Sequence, residues 1–267
     1  MTTSNHAVIW HIDDIDWTEV QRQQNADGSV SVVREKWPII RPEFLSAYVH
    51  YESGMVVRRH GHRSNHVVFV LDGSGWIGTE PCQAGTHIHV PLGSAFGPII
   101  AGPEGLTCWE TSFGEFGGWG DQPELFAAEI AQRNITPLPD PPLDIGDWFV
   151  DPRGDWGGER PSPKVEGLQS VLTHVHDHDR VPCEHHTKRA LIALDEFTST
   201  HIELAPDAEL VLPSHGHRLL WIIDGGVVIE GRHCAAGTHL ELPVGVNLGS
   251  ISAGPSGAVL LELVDRS

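Results

Sequence analysis

Short apolar runs with a period of two, punctuated by glycine, proline and acidic residues, fill most of the chain. The run Gly54–Gly73, GMVVRRHGHRSNHVVFVLDG, organises the rest. Its second half, VVFVLDG, is β-branched and aromatic, and predicts a strand that closes into a tight turn at Asp72-Gly73. Stretches such as IGTEPCQAGTHIHVPLG (77–93) and PVGVNLGSISAGPSGAVLLELV (243–264) repeat the pattern. Short strands at regular spacing with Gly-rich turns predict a sandwich or barrel. One segment, Gly114–Lys164, departs from it. Asp121 is placed to cap a helix with Pro123 and Glu124 in its first turn, carrying Leu125, Phe126 and Ile130 to about Asn134. The Pro- and Gly-rich stretch that follows, with Trp148 and Trp156, reads as an ordered linker packing its tryptophans on a barrel, or as a lid over a site.

The pattern also occurs twice. VIWHIDDIDW (8–17) resembles VLTHVHDHDR (171–180), VVFVLDG (67–73) matches LLWIIDG (219–225), and CQAGTHIHVPLG (82–93) matches CAAGTHLELPVG (234–245). From Val67 to Glu110 against Leu219 to Glu262 the copies run without a gap, with roughly 17 identities over about 44 positions, which marks a duplication. The offset is 155 at the two HGHR segments and 152 afterwards, so the second copy lacks three residues, aligned with Ser64, Asn65 and His66.

Composition narrows the functions open to such a chain. Its 267 residues suffice for two domains with buried cores. Asp and Glu number 36 against 17 Lys and Arg, a formal charge of −19, which argues against nucleic acid or an anionic membrane surface as partner. Four cysteines without a Cys-x-x-Cys pair read as free thiols in a reducing compartment. Without a leader or a long apolar run, the expected location is cytoplasmic.

The chemistry lies in the histidines. His60, His62 and His66 share parity, so a strand sends all three imidazoles to one face, where they would leave coordination positions open on a metal ion. The plain alternative is that they are polar residues lining a barrel mouth. His87 recurs as His239 in the second copy and reads as structural, whereas His89 stands opposite Glu241 and is a candidate ligand or proton-transfer residue. In THVHDHD, His174, His176 and His178 read as a solvated edge strand. Arg63 and Arg218 follow the histidine pairs with opposite parity and read as ion-pair residues pointing away. Trp76, Trp109, Trp119 and Phe96 are candidate walls for a substrate, Phe96 and Trp76 foremost. No nucleophile elbow, phosphate loop or dinucleotide fingerprint competes.

At these residues the chain resembles the cupin superfamily. The first cupin motif, Gly, five residues, His-x-His, three or four residues, Glu, six residues, Gly, is matched by Gly54, His60, His62, His66 and Gly73, with His66 in the place of the Glu. The second motif is matched by Gly85, Pro91 and Gly93, while Phe96 falls on the fourth ligand position and Ile100 on the Asn. The second copy keeps His215 and His217 and has Leu248 at the fourth position. The resemblance implies an all-β bicupin of tandem double-stranded β-helix (jelly-roll) domains. A metal-bearing domain would span 1–113, a linker with a short helix 114–164, and a degenerate domain 165–267. It further implies a metal-dependent enzyme on a small organic substrate, with His60, His62 and His66 as ligands. Fe(II) is the favoured ion, ahead of Zn, Mn or Ni, and a dioxygenase cleaving a C–C bond next to oxygen functions the favoured activity. A non-redox isomerase, cyclase or lyase and a non-catalytic binding protein are the alternatives. Pairing through edge strands implies a homodimer.

Overall fold

A computed structural model describes residues 6–41, 44–143 and 162–266. Trp148 and Trp156 lie outside the described residues, as does the middle of the linker. The chain divides into two compact units, Asp16–Thr173 and the combination of Met1–Ile15 with His174–Ser267. This division differs from a cut of the sequence into consecutive domains, because the first residues of the chain belong to the unit built from its end.

Each unit is an antiparallel sheet system wound around an apolar interior. In the first, among the described residues, ten strands run in the order Thr136–Pro137, Thr18–Gln24, Val30–Arg41, Phe44–Tyr51, Ile99–Gly120, His60–Ile77, Thr86–Val90 and Val171–His174, with two short strands beside them. In the second, nine strands run in the order Val8–His11, Thr238–Leu242, His217–Ile229, Ser250–Asp265, Phe197–Leu204, His186–Ala193 and Val181–Pro182, again with two short companions. Alternate residues fill the interiors. Leu45, Val49, Val68, Val70, Ile88, Val90, Leu106 and Cys108 form one core, and Ile202, Leu204, Leu220, Ile222, Leu240, Leu242 and Leu260 the other.

The two edge strands are exchanged between the repeats. Val8–His11 pairs antiparallel with Thr238–Leu242, Val8 opposite Glu241 and His11 opposite Thr238. Its repeat partner Val171–His174 pairs with Thr86–Val90 of the first copy. Both edge strands end alike, in a single 3-10 turn capped by a histidine: His11 Nδ1 accepts from the Asp13 amide and His174 Nδ1 from the His176 amide, each at 3.2 Å. The alternating histidines of THVHDHD therefore do not share a strand, since Val175–Asp177 is that turn.

Two further expectations change. The strand from His60 does not turn at Asp72-Gly73; it runs on to Ile77 through register shifts between Val70 and Asp72 and between Gly73 and Gly75. Gly73, with φ 78°, sits where a Cβ would come within 2.2 Å of the Gly105 carbonyl oxygen, and Gly225 repeats this against Gly257 at 2.3 Å. Only glycine bends the long strand there without expelling its neighbour. The helix forms over Pro123–Arg133, but Gln122 precedes it with φ 44° and no side-chain cap. Asp121 is drawn away instead, its carboxylate accepting from Arg59 Nε at 2.9 Å and Lys164 Nζ at 2.7 Å.

Candidate metal centre

His60, His62 and His66 are brought together inside the first barrel, at 6%, 5% and 0% exposure. The ring centroids of His60 and His62 lie 5.1 Å apart and those of His62 and His66 4.4 Å. Two imidazoles bound to one ion at about 2.1 Å would have centroids roughly 4.6 Å apart at right angles and roughly 5.3 Å at the tetrahedral angle, so the ring spacing suits a shared ion. Gly61 makes the His-Gly-His approach possible. A Cβ there would lie 2.4 Å from the Ser94 carbonyl oxygen and 2.6 Å from the Trp119 ring.

Phe96 closes the cluster. Its backbone exchanges both hydrogen bonds with His60, at 3.0 and 2.8 Å, and its ring centroid lies 4.7 Å from His60, 5.4 Å from His66 and 6.4 Å from His62. The position at which the cupin resemblance expects a fourth donor thus holds a buried hydrocarbon ring of the core. Burial lowers His60 to about 4, against the opposing pull of its bond to the Arg58 carbonyl, so it is a neutral imidazole at pH 7. That bond engages Nδ1 at 2.8 Å.

Behind His66 stands a residue that sequence reasoning passed over. Glu110 is 7% exposed; one carboxylate oxygen accepts from the Tyr51 hydroxyl at 2.6 Å and the other lies 3.2 Å from His66 Nε2. The latter is an ion-pair distance without the alignment of a formed hydrogen bond, and both ring nitrogens of His66 are buried with no hydrogen-bond partner. Burial alone would raise the Glu110 carboxyl; His66 and the Tyr51 hydroxyl outweigh it and hold it below its ordinary value. Burial first, then Glu110, pushes the Tyr51 phenol well above 10. The signal for Glu110 was its recurrence as Glu262, an acid at a core-facing position in both copies.

Strand register also corrects the alignment of the repeats. His66 pairs with Val90 and Ser112, and Arg218 pairs with Leu242 and Val264, each exactly one repeat of 152 residues on. Arg218 therefore occupies the place of His66, faces inward rather than away, and reaches Glu262 at 2.7 Å. His217 falls on the opposite face, where Nε2 lies 2.8 Å from Glu241 Oε1.

The other candidates lie elsewhere. His89 pairs with Val67, on the sheet face opposite to Val68, Ile88 and Val90, and so points away from the three imidazoles. Trp76 is 44% exposed, opposite Pro81 and Ile100, and does not wall the interior. Trp109 is buried with its indole N–H donating to Ser46 Oγ at 2.6 Å. His87 and His239 meet aromatic rings, Phe69 at 6.4 Å and Trp221 at 5.5 Å, as structural residues would.

As the rings stand, no three His, Cys, Asp or Glu side chains among the described residues are arranged to hold a metal ion. The histidines fit an ion by kind, burial and spacing, and the orphaned nitrogens of His66 call for a partner. Convergence of the donors requires the rings to turn about their side-chain torsions, a smaller change than moving a strand.

No family model matches the chain, and no curated protein matches it. Solved structures do. A "putative dioxygenase" of Nostoc punctiforme PCC 73102 superimposes with a TM-score of 0.67 at 10% identity, over 99% of this chain and 84% of that one. Oxalate decarboxylase from Bacillus subtilis gives 0.61 at 15% identity, over 100% and 77%. The fold is a tandem cupin-type jelly roll. At such identities the likeness is one of fold, and both cupin-type barrels of the chain are included in it. No helix among the described residues is long and apolar enough to cross a membrane.

Proposed function

We propose that the chain is a metal-dependent enzyme acting on a small organic substrate, with its reactive site in the Asp16–Thr173 barrel and His60, His62 and His66 as metal ligands. The observation that carries this reading is the gathering of three buried imidazoles in one barrel, while at the corresponding register the other has an arginine on a carboxylate. A three-histidine set adds no negative charge, so a bound divalent ion would keep its strength as a Lewis acid towards a substrate oxygen. Phe96 excludes water from one side of the cluster and gives the pocket an apolar wall. Fe(II) and oxygen-dependent cleavage of a C–C bond form the favoured chemistry, supported by the fold likeness to a protein described as a dioxygenase and by the neutral donor set.

A non-oxidative lyase or isomerase is the second reading, supported by the fold likeness to a decarboxylase over 100% of this chain. Elemental analysis of the purified protein, followed by oxygen-electrode assays with enols, diketones and catechol-like compounds, tests both. The expected result is close to one ion per chain, lost in His62→Ala, with oxygen uptake that needs added Fe(II). Turnover without oxygen uptake selects the second reading. A protein that retains no ion after anaerobic loading with Fe(II), Mn(II), Co(II) or Zn(II) overturns both.

A further inference from the structure

We infer that Glu110 is the positioning residue of the site: its carboxylate takes the Nε2 proton of His66 as a hydrogen bond, fixing the ring as the Nε2–H tautomer and turning the Nδ1 lone pair into the barrel interior. Three observations carry this. His66 is fully buried, and of its two nitrogens Nε2 is the one beside an acceptor, 3.2 Å from Glu110 Oε2. Glu110 is itself held from behind, because Oε1 accepts from the Tyr51 hydroxyl at 2.6 Å, which leaves Oε2 to face His66. The same two register positions are joined in the second barrel by the Arg218–Glu262 ion pair at 2.7 Å.

The comparison of the barrels separates an inherited contact from a specialised one. At both places a carboxylate on the 99–120 or 250–265 strand meets a nitrogen donor on the neighbouring strand, so the geometry belongs to the duplicated frame. Arginine satisfies the carboxylate and has no lone pair to offer. Histidine can satisfy it with one nitrogen and still keep a lone pair on the other. The exchange of arginine for histidine at this position turns a closed ion pair into a group that accepts from the interior, 4.4 Å from the His62 ring. A carboxylate on the far nitrogen of a histidine ligand fixes its tautomer and orientation and raises its basicity.

The test uses the full-length protein and two readouts, the second of which rests on the metal reading. Nitrogen-15 spectra of the histidine side chains, with His66 assigned through His66→Gln, are recorded for the wild type, Glu110→Gln and Tyr51→Phe. The expected result is a protonated Nε2 and a bare Nδ1 for His66 in the wild type. This pattern should survive in Tyr51→Phe, which keeps the carboxylate, and be lost to a tautomer mixture in Glu110→Gln. Co(II) titration should then show a 10–100-fold weaker affinity for Glu110→Gln. A wild-type His66 protonated at Nδ1, or an unchanged His66 signal in folded Glu110→Gln, overturns the assignment. Should Glu110→Gln fail to fold, the wild-type spectrum alone decides. If the wild type takes up no Co(II), the metal reading fails while the tautomer spectrum still decides the role of Glu110.

Discussion

Two residues set how tightly the histidine cluster is built. Gly61 lies under Trp119, whose indole N–H donates to the His62 carbonyl oxygen at 3.4 Å. Gly61→Ala would drive a methyl into Ser94 and Trp119, and since one of these contacts is backbone the strand must shift. The expected cost is about 2–3 kcal/mol of stability, read as a lower urea midpoint, together with loss of metal binding; an unchanged midpoint would show that the approach is slack. Phe96 sets the opposite limit. Phe96→His replaces a hydrocarbon wall by a donor within reach of His60, so it should tighten Co(II) binding by an order of magnitude or more while costing about 1–3 kcal/mol of packing. Weaker Co(II) binding in a folded Phe96→His would show that the pocket is not built around an ion. The histidines and Phe96 were legible because parity and motif spacing survive in a linear string. Glu110 left only its recurrence as Glu262; its contacts with Tyr51, 59 residues away, and with His66 are made by strand pairing and leave no mark in the string. The same blindness misplaced Arg218: the shared HGHR aligns it with Arg63 in the string, whereas strand pairing puts it at the register of His66.

At the scale of elements, the jelly-roll strands were legible from their period, and the duplication from its identities. The exchange of edge strands was not, because both copies of the segment carry the same apolar pattern and either would suit either sheet. Its energetic content can be measured. Trp10 on the exchanged strand packs edge-on against His239 at 5.9 Å, next to Trp221. Deleting residues 1–12 removes that contact and the hydrogen-bond ladder onto Thr238–Leu242, leaving an unpaired sheet edge. Hydrogen exchange should then accelerate by more than tenfold in Thr238–Leu242 and much less in Thr86–Val90, whose edge partner is Val171–His174. Equal acceleration in both strands would mean that the exchanged strand contributes nothing particular to the unit it joins. The helix illustrates a different limit: Pro123 and Asn134 marked its ends correctly, whereas the cap assigned to Asp121 lost to two cations, Arg59 and Lys164, that become neighbours only in the folded chain.

Over the whole molecule, the balance of charge and buried imidazole governs the response to acid. The chain carries −19 at pH 7, so protonation of surface carboxylates first relieves repulsion and favours the compact state. Buried histidines act against this. Burial lowers His239 to about 3 and His201 to about 4, from an ordinary 6.5, with Glu241 and Glu203 respectively opposing the shift. A base whose folded value is depressed stays neutral in the native state while the unfolded chain takes up a proton. Stability from such a group is therefore intact above about 6.5 and declines as the pH falls from there towards the folded value. The slope approaches about 1.4 kcal/mol per pH unit for each group, or about 2 kcal/mol from His239 between pH 6.5 and 5. Because the surface term has the opposite sign, the raw pH profile cannot isolate the imidazole, and a difference between variants can. His239→Phe keeps a flat ring beside Trp10 and Trp221 and removes the titration. Urea midpoints at pH 7, 6 and 5 should converge for the variant and wild type as acid is added if the variant starts less stable, the gap narrowing by about 2 kcal/mol. Parallel profiles would mean that His239 titrates in the fold as it does in the unfolded chain, which requires Glu241 to offset the burial of the ring.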